Sequence, residues 1–327
     1  MLEFVPGQLV SGQSSAAPHR MLSSAALGSP QGVVFDAHGN LWVLDPGGLI
    51  KGKATPALFE FTAAQLNALA SDPAPMPAAS ITSTYLKYPA AAVFDLSGNL
   101  WLTDQAANTL LVFSAAQLAQ SGANELNPSM VLSSSALHGP AGLAFDAGGN
   151  MWIAMHGQAA TAMTAAVPGT TVVQFDLSTL PPLPDGGTLT DLLAANITLT
   201  ADAQGSIQAP WALSFDSAGD LWVSDSGSSA RLVSFAKGDL AQSGTPTPSV
   251  ILSATNVGSV ASFAAPHGIC FDDIEALAVT SSAGTFAAAY YAPNQLSSGA
   301  PVPYTLLTGA ATKLQSPAGC TFGNVAP

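Results

Sequence analysis

One motif recurs along the chain and constrains its fold more than any other feature. It reads Pro-x-Gly-x-x-Phe-Asp-x-x-Gly-Asn-Leu-Trp-Val-x-Asp, and five long copies keep this spacing without insertions. They span 30–45, 89–104, 140–155, 210–225 and 266–281, and a sixth copy is cut short at 317–322. Repetition at intervals of 51 to 70 residues indicates an array of one structural unit.

Each repeat unit predicts four short strands. Gly-x-x-Phe is strand a and Leu-Trp-Val is strand b, because Asp-x-x-Gly-Asn between them suits a hairpin turn. A run ending in an aromatic residue predicts strand c, and a segment that begins with Pro predicts strand d. Thr62 and Ser114, which follow strand c, suit the N-cap of a helical turn. Radial repetition of such units predicts an all-β fold, a six-bladed β-propeller with four-stranded blades.

The repeats assign the whole chain, 1–327, to a single propeller domain. Blades 1 to 5 are predicted at 30–88, 89–139, 140–209, 210–265 and 266–316, and blade 6 combines 317–327 with 1–29. The chain begins with signals for strands c and d and ends with a signal for strand a. The N- and C-terminal strands are therefore expected to share this blade and close the ring, which removes exposed edges. Its strand b has no clear signal, and 323–325 is the candidate stub.

The motif copies resemble the NHL-repeat propellers and the related senescence-marker-protein/gluconolactonase-like six-bladed propellers. With the outer strands, the resemblance covers essentially the whole chain. It implies a site on the face where strands a begin and strands b end, which we call the mouth face. These families include lactonases, lyases and non-catalytic binding platforms, so the resemblance does not select an activity.

Five residues on the mouth face are the candidates for ligand binding: Gln31, Asp45, Asp104, Trp211 and Asp225. The three aspartates close strand b in their copies, so they either cap a turn or touch a ligand. Trp211 follows its anchor Pro, where other copies have small or polar residues. It could stack on a ligand or plug the channel.

Three histidines are also predicted to project to the mouth face: His138, His156 and His267. Neutral imidazoles that converge there could bind zinc or copper, with Met155 as a softer copper ligand. A peptidyl-hydroxyglycine lyase of NHL type is similar in its use of loop histidines around zinc, but this chain offers no arginine on that face for a substrate carboxylate. The alternative is that neighbouring carbonyls satisfy the three imidazoles.

Composition limits the partners. Only 7 Lys and Arg residues stand against 20 Asp and Glu residues, which gives a net charge of −13. Nucleic-acid binding needs clustered basic residues, so a nucleic-acid partner is excluded and an anionic membrane surface is disfavoured. No apolar run reaches the length that spans a bilayer, so we expect no membrane insertion.

The chain starts without a basic segment followed by an apolar one, so we expect no signal peptide within it. Its Ser/Thr/Gly/Ala-rich, Lys-poor composition still favours an extracytoplasmic location, periplasmic or secreted. Cys270 and Cys320 lie at nearly equivalent positions after their anchor prolines. They could form a disulfide between blades 5 and 6, or remain two buried thiols.

The sequence thus favours a monomeric binding module that presents its loop-bearing face to an unknown small molecule or protein. The alternative is a metal-dependent lyase or hydrolase that uses His138, His156 and His267 at the channel mouth, with zinc or copper as its cofactor. A purely structural surface domain is the third reading. Whether the protein is an enzyme stays open at this stage.

Overall fold

The structure is a computed structural model that describes residues 1–120, 122–158, 167–184, 187–283 and 287–322. Strands dominate, and they form a β-propeller of five blades. In each blade, strands a, b, c and d are hydrogen-bonded in that order as an antiparallel sheet. No helix among these residues is long and apolar enough to cross a membrane.

The strands follow the repeat units. Strands a are Gly32–Phe35, Pro89–Phe94, Pro140–Phe145, Pro210–Phe215 and Pro266–Phe271. Strands b are Leu41–Asp45, Leu100–Asp104, Met151–Gln158, Leu221–Asp225 and Leu277–Ser281. Strands c are Ala57–Phe61, Thr109–Phe113, Val167–Phe175, Arg231–Phe235 and Ala288–Tyr291. Strands d are Ala79–Thr82, Met130–Ser133, Ile197–Thr200, Val250–Ser253 and Thr305–Leu307.

Helical turns follow several strands c, as predicted. The two α-helical turns are Ala63–Asn67 and Ala115–Leu118, and Thr62 and Ser114 cap them through their side-chain oxygens. The 3-10 turns are Pro6–Gln8, Lys237–Leu240, Pro293–Gln295 and Ala310–Thr312. The α-helical turns, Lys237–Leu240 and Pro293–Gln295 lie between strands c and d of their blades. Pro6–Gln8 follows Leu2–Glu3, and Ala310–Thr312 follows strand d of blade 5.

The hydrophobic core lies between neighbouring blades. The strand-b tryptophan of one blade packs edge-on against the strand-a phenylalanine of the next, with ring centroids 5.9 to 6.2 Å apart. The four tryptophans are Trp42, Trp101, Trp152 and Trp222. Each indole N–H donates to the aspartate of its own Phe-Asp turn, at 2.9 to 3.2 Å. These aspartates are therefore turn-formers on the face opposite the mouth.

The prediction of six blades is wrong, because the structure has five. The space between blades 5 and 1 holds the first strands of the chain and 317–322, and the described residues form no sixth complete sheet there. Leu2–Glu3 pairs only with Arg20–Met21, and 317–322 pairs with no strand in the described part of the chain. Among the described residues no strand b lies between the two segments, and strand a cannot hydrogen-bond to strand c across that position. The candidate stub at 323–325 lies outside the described residues.

The C-terminal segment 317–322 nevertheless occupies the sixth inner position of the ring. A Cβ on Gly268 of blade 5 would lie 2.8 Å from the backbone nitrogen of Cys320, and one on Gly319 would lie 3.2 Å from the carbonyl oxygen of Gln31. The Thr280 hydroxyl donates to the carbonyl of Ala318 at 3.4 Å. The segment therefore contacts blade 5 on one side and blade 1 on the other.

Each outer edge is covered by a segment of the next unit along the ring, which we call a clasp. The clasps Ala123–Glu125, Leu189–Leu192 and Gly12–Ser14 pair in parallel with strands d of blades 1, 2 and 5. On blades 3 and 4 the clasp is a single parallel bridge to strand d. Gly244 bridges to Leu199, and Gly299 bridges to Leu252. Clasps cover the unpaired strand edges, which would otherwise favour aggregation. The clasp Gly12–Ser14 also ties the beginning of the chain to blade 5.

Candidate functional site

A long hairpin on blade 3 rises at the mouth face. Its strands b and c pair as far as Gln158 and Val167, beyond the length of the other blades, and the register shifts between Met155 and Gly157. Such a β-bulge re-aims side chains, and bulges are frequent next to functional sites. The remainder of this hairpin, 159–166, lies outside the described residues.

The base of the hairpin is packed backbone to backbone. A Cβ on Gly139 would lie 1.9 Å from the carbonyl oxygen of Gly157, and one on Gly169 would lie 1.9 Å from the carbonyl carbon of His156. The N–H of His156 donates to the carbonyl of Gly139 at 3.0 Å. Only glycine allows approaches this close, so the bulge and its neighbours hold the backbone of His156 in place.

Three aromatic side chains from three consecutive blades meet at the mouth. Trp211 of blade 4 lies with its ring centroid 3.9 Å from that of His267 of blade 5, and the two rings are nearly parallel at 23°. The His156 ring of blade 3 is 4.2 Å from Trp211 and stands edge to face at 75°. We call these three residues the aromatic cluster. The prediction placed all three on one face, and the structure brings them into contact.

Both imidazoles of the cluster are neutral at pH 7. Burial, and secondarily the neighbouring His156, lower the pKa of His267 to about 4. Burial also lowers the pKa of His156, although its hydrogen bonds to the carbonyls of Pro210 and Ala209 and the charge of Asp225 act in the opposite direction. The cluster therefore presents uncharged rings.

The cluster also carries polar nitrogens without partners. The Nδ1 atoms of His156 and His267 are buried and have no hydrogen-bond partner. The indole N–H of Trp211, which is half-buried, has no hydrogen-bond partner in the described part of the chain. A side chain that only plugged the channel would be expected to be buried and paired, so the structure favours a contact surface.

The aspartates that close strand b have a structural role. Asp45, Asp104 and Asp225 have no exposed surface. Each carboxylate accepts hydrogen bonds from the backbone N–H groups of the two residues before the anchor proline, at 2.6 to 3.1 Å. Asp225 also pairs with Arg231, with Nε and Oδ2 3.4 Å apart, so the expectation that no arginine lies on the mouth face is wrong. The ligand-binding role proposed for these three residues is thus corrected, because their oxygens face inward and hold the mouth loops.

The predicted metal set is not assembled. His138 is exposed on the loop before blade 3. Met155 is 2 % exposed and packs in the core between blades 2 and 3, because successive strand residues point to opposite faces. No group of three or more His, Cys, Asp or Glu residues able to hold a metal occurs among the described residues. The described side chains therefore do not fit the zinc or copper site that the histidine positions suggested.

Gln31 lies at the mouth on blade 1, at the other side of the ring from Trp211. It is half-buried, and its Nε2 donates to the carbonyl of Ser29 at 3.5 Å. It does not join the aromatic cluster, and its contact with a ligand stays a prediction.

The two cysteines form the disulfide that the sequence allowed. Cys270 and Cys320 are bonded across 50 residues, with Cα atoms 6.1 Å apart. The bond joins strand a of blade 5 to the C-terminal segment 317–322, at the ring position where the chain closes.

No known protein-family description matches the sequence, and no curated protein matches it. Solved structures do match. A Bacteroides uniformis protein proposed to be a 6-phosphogluconolactonase is 13% identical with a TM-score of 0.54, over 88% of this chain and 74% of that one. A functionally unknown protein from Desulfotomaculum acetoxidans is 11% identical with a TM-score of 0.51, over 89% and 74%.

Virginiamycin B lyase from Staphylococcus aureus is 14% identical with a TM-score of 0.45, over 81% of this chain and 67% of the lyase chain. At such identities, the likeness with TM-scores above 0.5 establishes the β-propeller fold and no activity.

Proposed function

We propose that the protein is an extracytoplasmic β-propeller that binds a ligand on its mouth face, with Trp211 at the centre of the site. The observation that carries this proposal is the aromatic cluster, in which two neutral imidazoles flank a half-buried indole whose N–H has no partner among the described residues. Ligand sites are typically concave and apolar, with a few polar groups that fix orientation, and this cluster has that character. The disulfide supports the extracytoplasmic location, because disulfides persist in oxidising compartments.

A binding role has more support than metal-dependent catalysis. The imidazoles of His156 and His267 contact Trp211 instead of converging with His138 on one point. The bulged hairpin and its glycines hold one side of the cluster in place, as expected of a preformed binding surface. Zinc or copper that copurifies stoichiometrically and is lost in His267→Ala would overturn this reading and favour a metal-dependent lyase or hydrolase.

Trp211→Ala is expected to weaken the binding of N-phenyl-1-naphthylamine, an uncharged aromatic fluorophore, at least about tenfold, which corresponds to about 1.4 kcal/mol. The reason is the loss of the ring that offers the largest apolar contact at the mouth. The measurement is fluorescence titration of the purified protein.

Leu96→Ala is the matched control. Leu96 is a fully exposed apolar side chain in a turn on the opposite face, so its removal tests unspecific adsorption of the dye. It should leave the titration unchanged. If Leu96→Ala weakened binding as much as Trp211→Ala, or if Trp211→Ala bound as the wild type does, the proposed site would be wrong. Thermal unfolding of each variant checks that it is folded.

A further inference from the structure

The lysines of this acidic chain are concentrated on the mouth face. Four of the five lie there: Lys51, Lys53, Lys87 and Lys313. Lys51 and Lys53 belong to the small hairpin formed by Leu49–Ile50 and Lys53–Ala54 between strands b and c of blade 1. The other two lie in loops that lead from a strand d to the next inner position. All four are exposed.

Carboxylates with exposed surface are scarce on the same face. Asp45, Asp104 and Asp225 are buried under the loops and bonded to backbone N–H groups. Among the described mouth loops, Asp202 is the one acid with exposed surface, and it accepts hydrogen bonds within its own turn. The aspartates of the five Phe-Asp turns lie on the opposite face: Asp36, Asp95, Asp146, Asp216 and Asp272.

The lysines and the aromatic cluster occupy opposite sides of the mouth. The inner positions follow the order blade 1 to blade 5 and then 317–322 around the ring. The cluster comes from blades 3, 4 and 5. The lysines come from blade 1 and from the loops that precede blade 2 and 317–322. The exposed lysines therefore lie on one side of the mouth, and the other side carries the aromatic cluster, the acid Asp202 and the ion pair Arg231–Asp225.

We propose that the ligand of this site is a small organic anion with an apolar or aromatic part, which contacts Trp211 while its negative group faces Lys51, Lys53 and Lys87. This inference rests on the proposed function and adds the chemical class of the ligand. A local positive potential on a protein of net charge −13 concentrates anions at this face and repels them elsewhere. Because the lysines are exposed, their effect falls as salt is added.

The test compares two dyes that share one ring system. 8-Anilino-1-naphthalenesulfonate adds a sulfonate to the uncharged N-phenyl-1-naphthylamine. At low ionic strength, where charges act over about 30 Å, the wild type is expected to bind the sulfonate more tightly, and added salt should reduce the difference. The variant Lys51→Gln/Lys53→Gln/Lys87→Gln should bind the sulfonate roughly five- to tenfold more weakly and bind the uncharged dye unchanged. Lys313 is retained because the proposal does not assign it to the negative group.

Lys237→Gln is the matched control, since Lys237 is exposed after strand c of blade 4, on the opposite face. It should bind both dyes as the wild type does. Unchanged sulfonate binding by the triple variant, or equal weakening of both dyes, would overturn the anion inference and leave the Trp211 site standing. If instead Trp211→Ala bound both dyes as tightly as the wild type does, the proposed function itself would be wrong.

Discussion

Asp104→Ala is expected to lower the free energy of unfolding by about 3 to 5 kcal/mol, which is a large fraction of the stability of a typical domain. The carboxylate has no exposed surface and accepts hydrogen bonds from the N–H groups of Lys87, Tyr88 and Ala107 at 2.7 to 3.0 Å. Removing it leaves these donors without their acceptor and opens a cavity. Urea unfolding monitored by circular dichroism measures the change, with the midpoint shifted and the slope retained.

Blade 5 provides the matched control within the same chain. Ser281 occupies the position of Asp104, and its hydroxyl accepts the N–H groups of Ala264 and Ala265 at 3.0 and 3.3 Å. A neutral acceptor makes weaker hydrogen bonds than a carboxylate, so Ser281→Ala should cost only about 1 kcal/mol. If both truncations cost the same, the carboxylate would not be the main support of the mouth loops.

The strands could be predicted because their signals are local. Alternation, the Asp-x-x-Gly-Asn turn and the aromatic end of strand c each lie within a few residues, and all of them recur. The blade count could not be predicted in this way. The segment 317–322 carries the strand-a pattern and occupies an inner position. Whether it becomes part of a sheet depends on a strand b, and this copy of the motif has no clear strand-b signal after Phe322.

The clasps were missed although the sequence contains a signal for them. The dipeptide Ser-Gly recurs after strand c at 11–12, 121–122, 243–244 and 298–299. In three of these places the glycine has positive φ: 98° at Gly12, 145° at Gly122 and 135° at Gly299. Such a backbone lets the chain turn onto the neighbouring edge, and only glycine adopts it readily. The pairing itself is between blades and could not be inferred from one repeat.

Part of the site could be predicted because some of its residues occupy fixed positions in the repeat. The repeat register placed His156, Trp211 and His267 on one face, and in the structure their rings lie in contact. Alternation along strand b directs His156 toward blade 4, as it does Trp152 and Ala154, but the register alone could not show that the ring would contact Trp211 of that blade. The lysine side of the mouth could not be predicted from the repeat register, because these lysines lie in loops outside the motif copies.

Replacing both cysteines, Cys270→Ser/Cys320→Ser, is expected to lower the free energy of unfolding by about 4 kcal/mol, the chain-entropy value for a closed loop of 50 residues. The chain has only these two cysteines, so this is its single covalent cross-link. It holds a segment that has no strand partner in the described part of the chain and that completes the inner ring between blades 5 and 1. Losing it should therefore both widen the unfolded ensemble and release that segment.

Two measurements separate these effects. Urea unfolding of the oxidised wild type and the double variant gives the loss of stability, while limited proteolysis under native conditions should cut the variant first near its C-terminus. A reductant should lower the stability of the wild type to that of the double variant, and it should leave the stability of the double variant unchanged. Equal stability with early C-terminal cleavage would mean that the disulfide only tethers the last segment. Equal stability with equal protection would mean that the contacts of Gly268 and Gly319 close the ring without it.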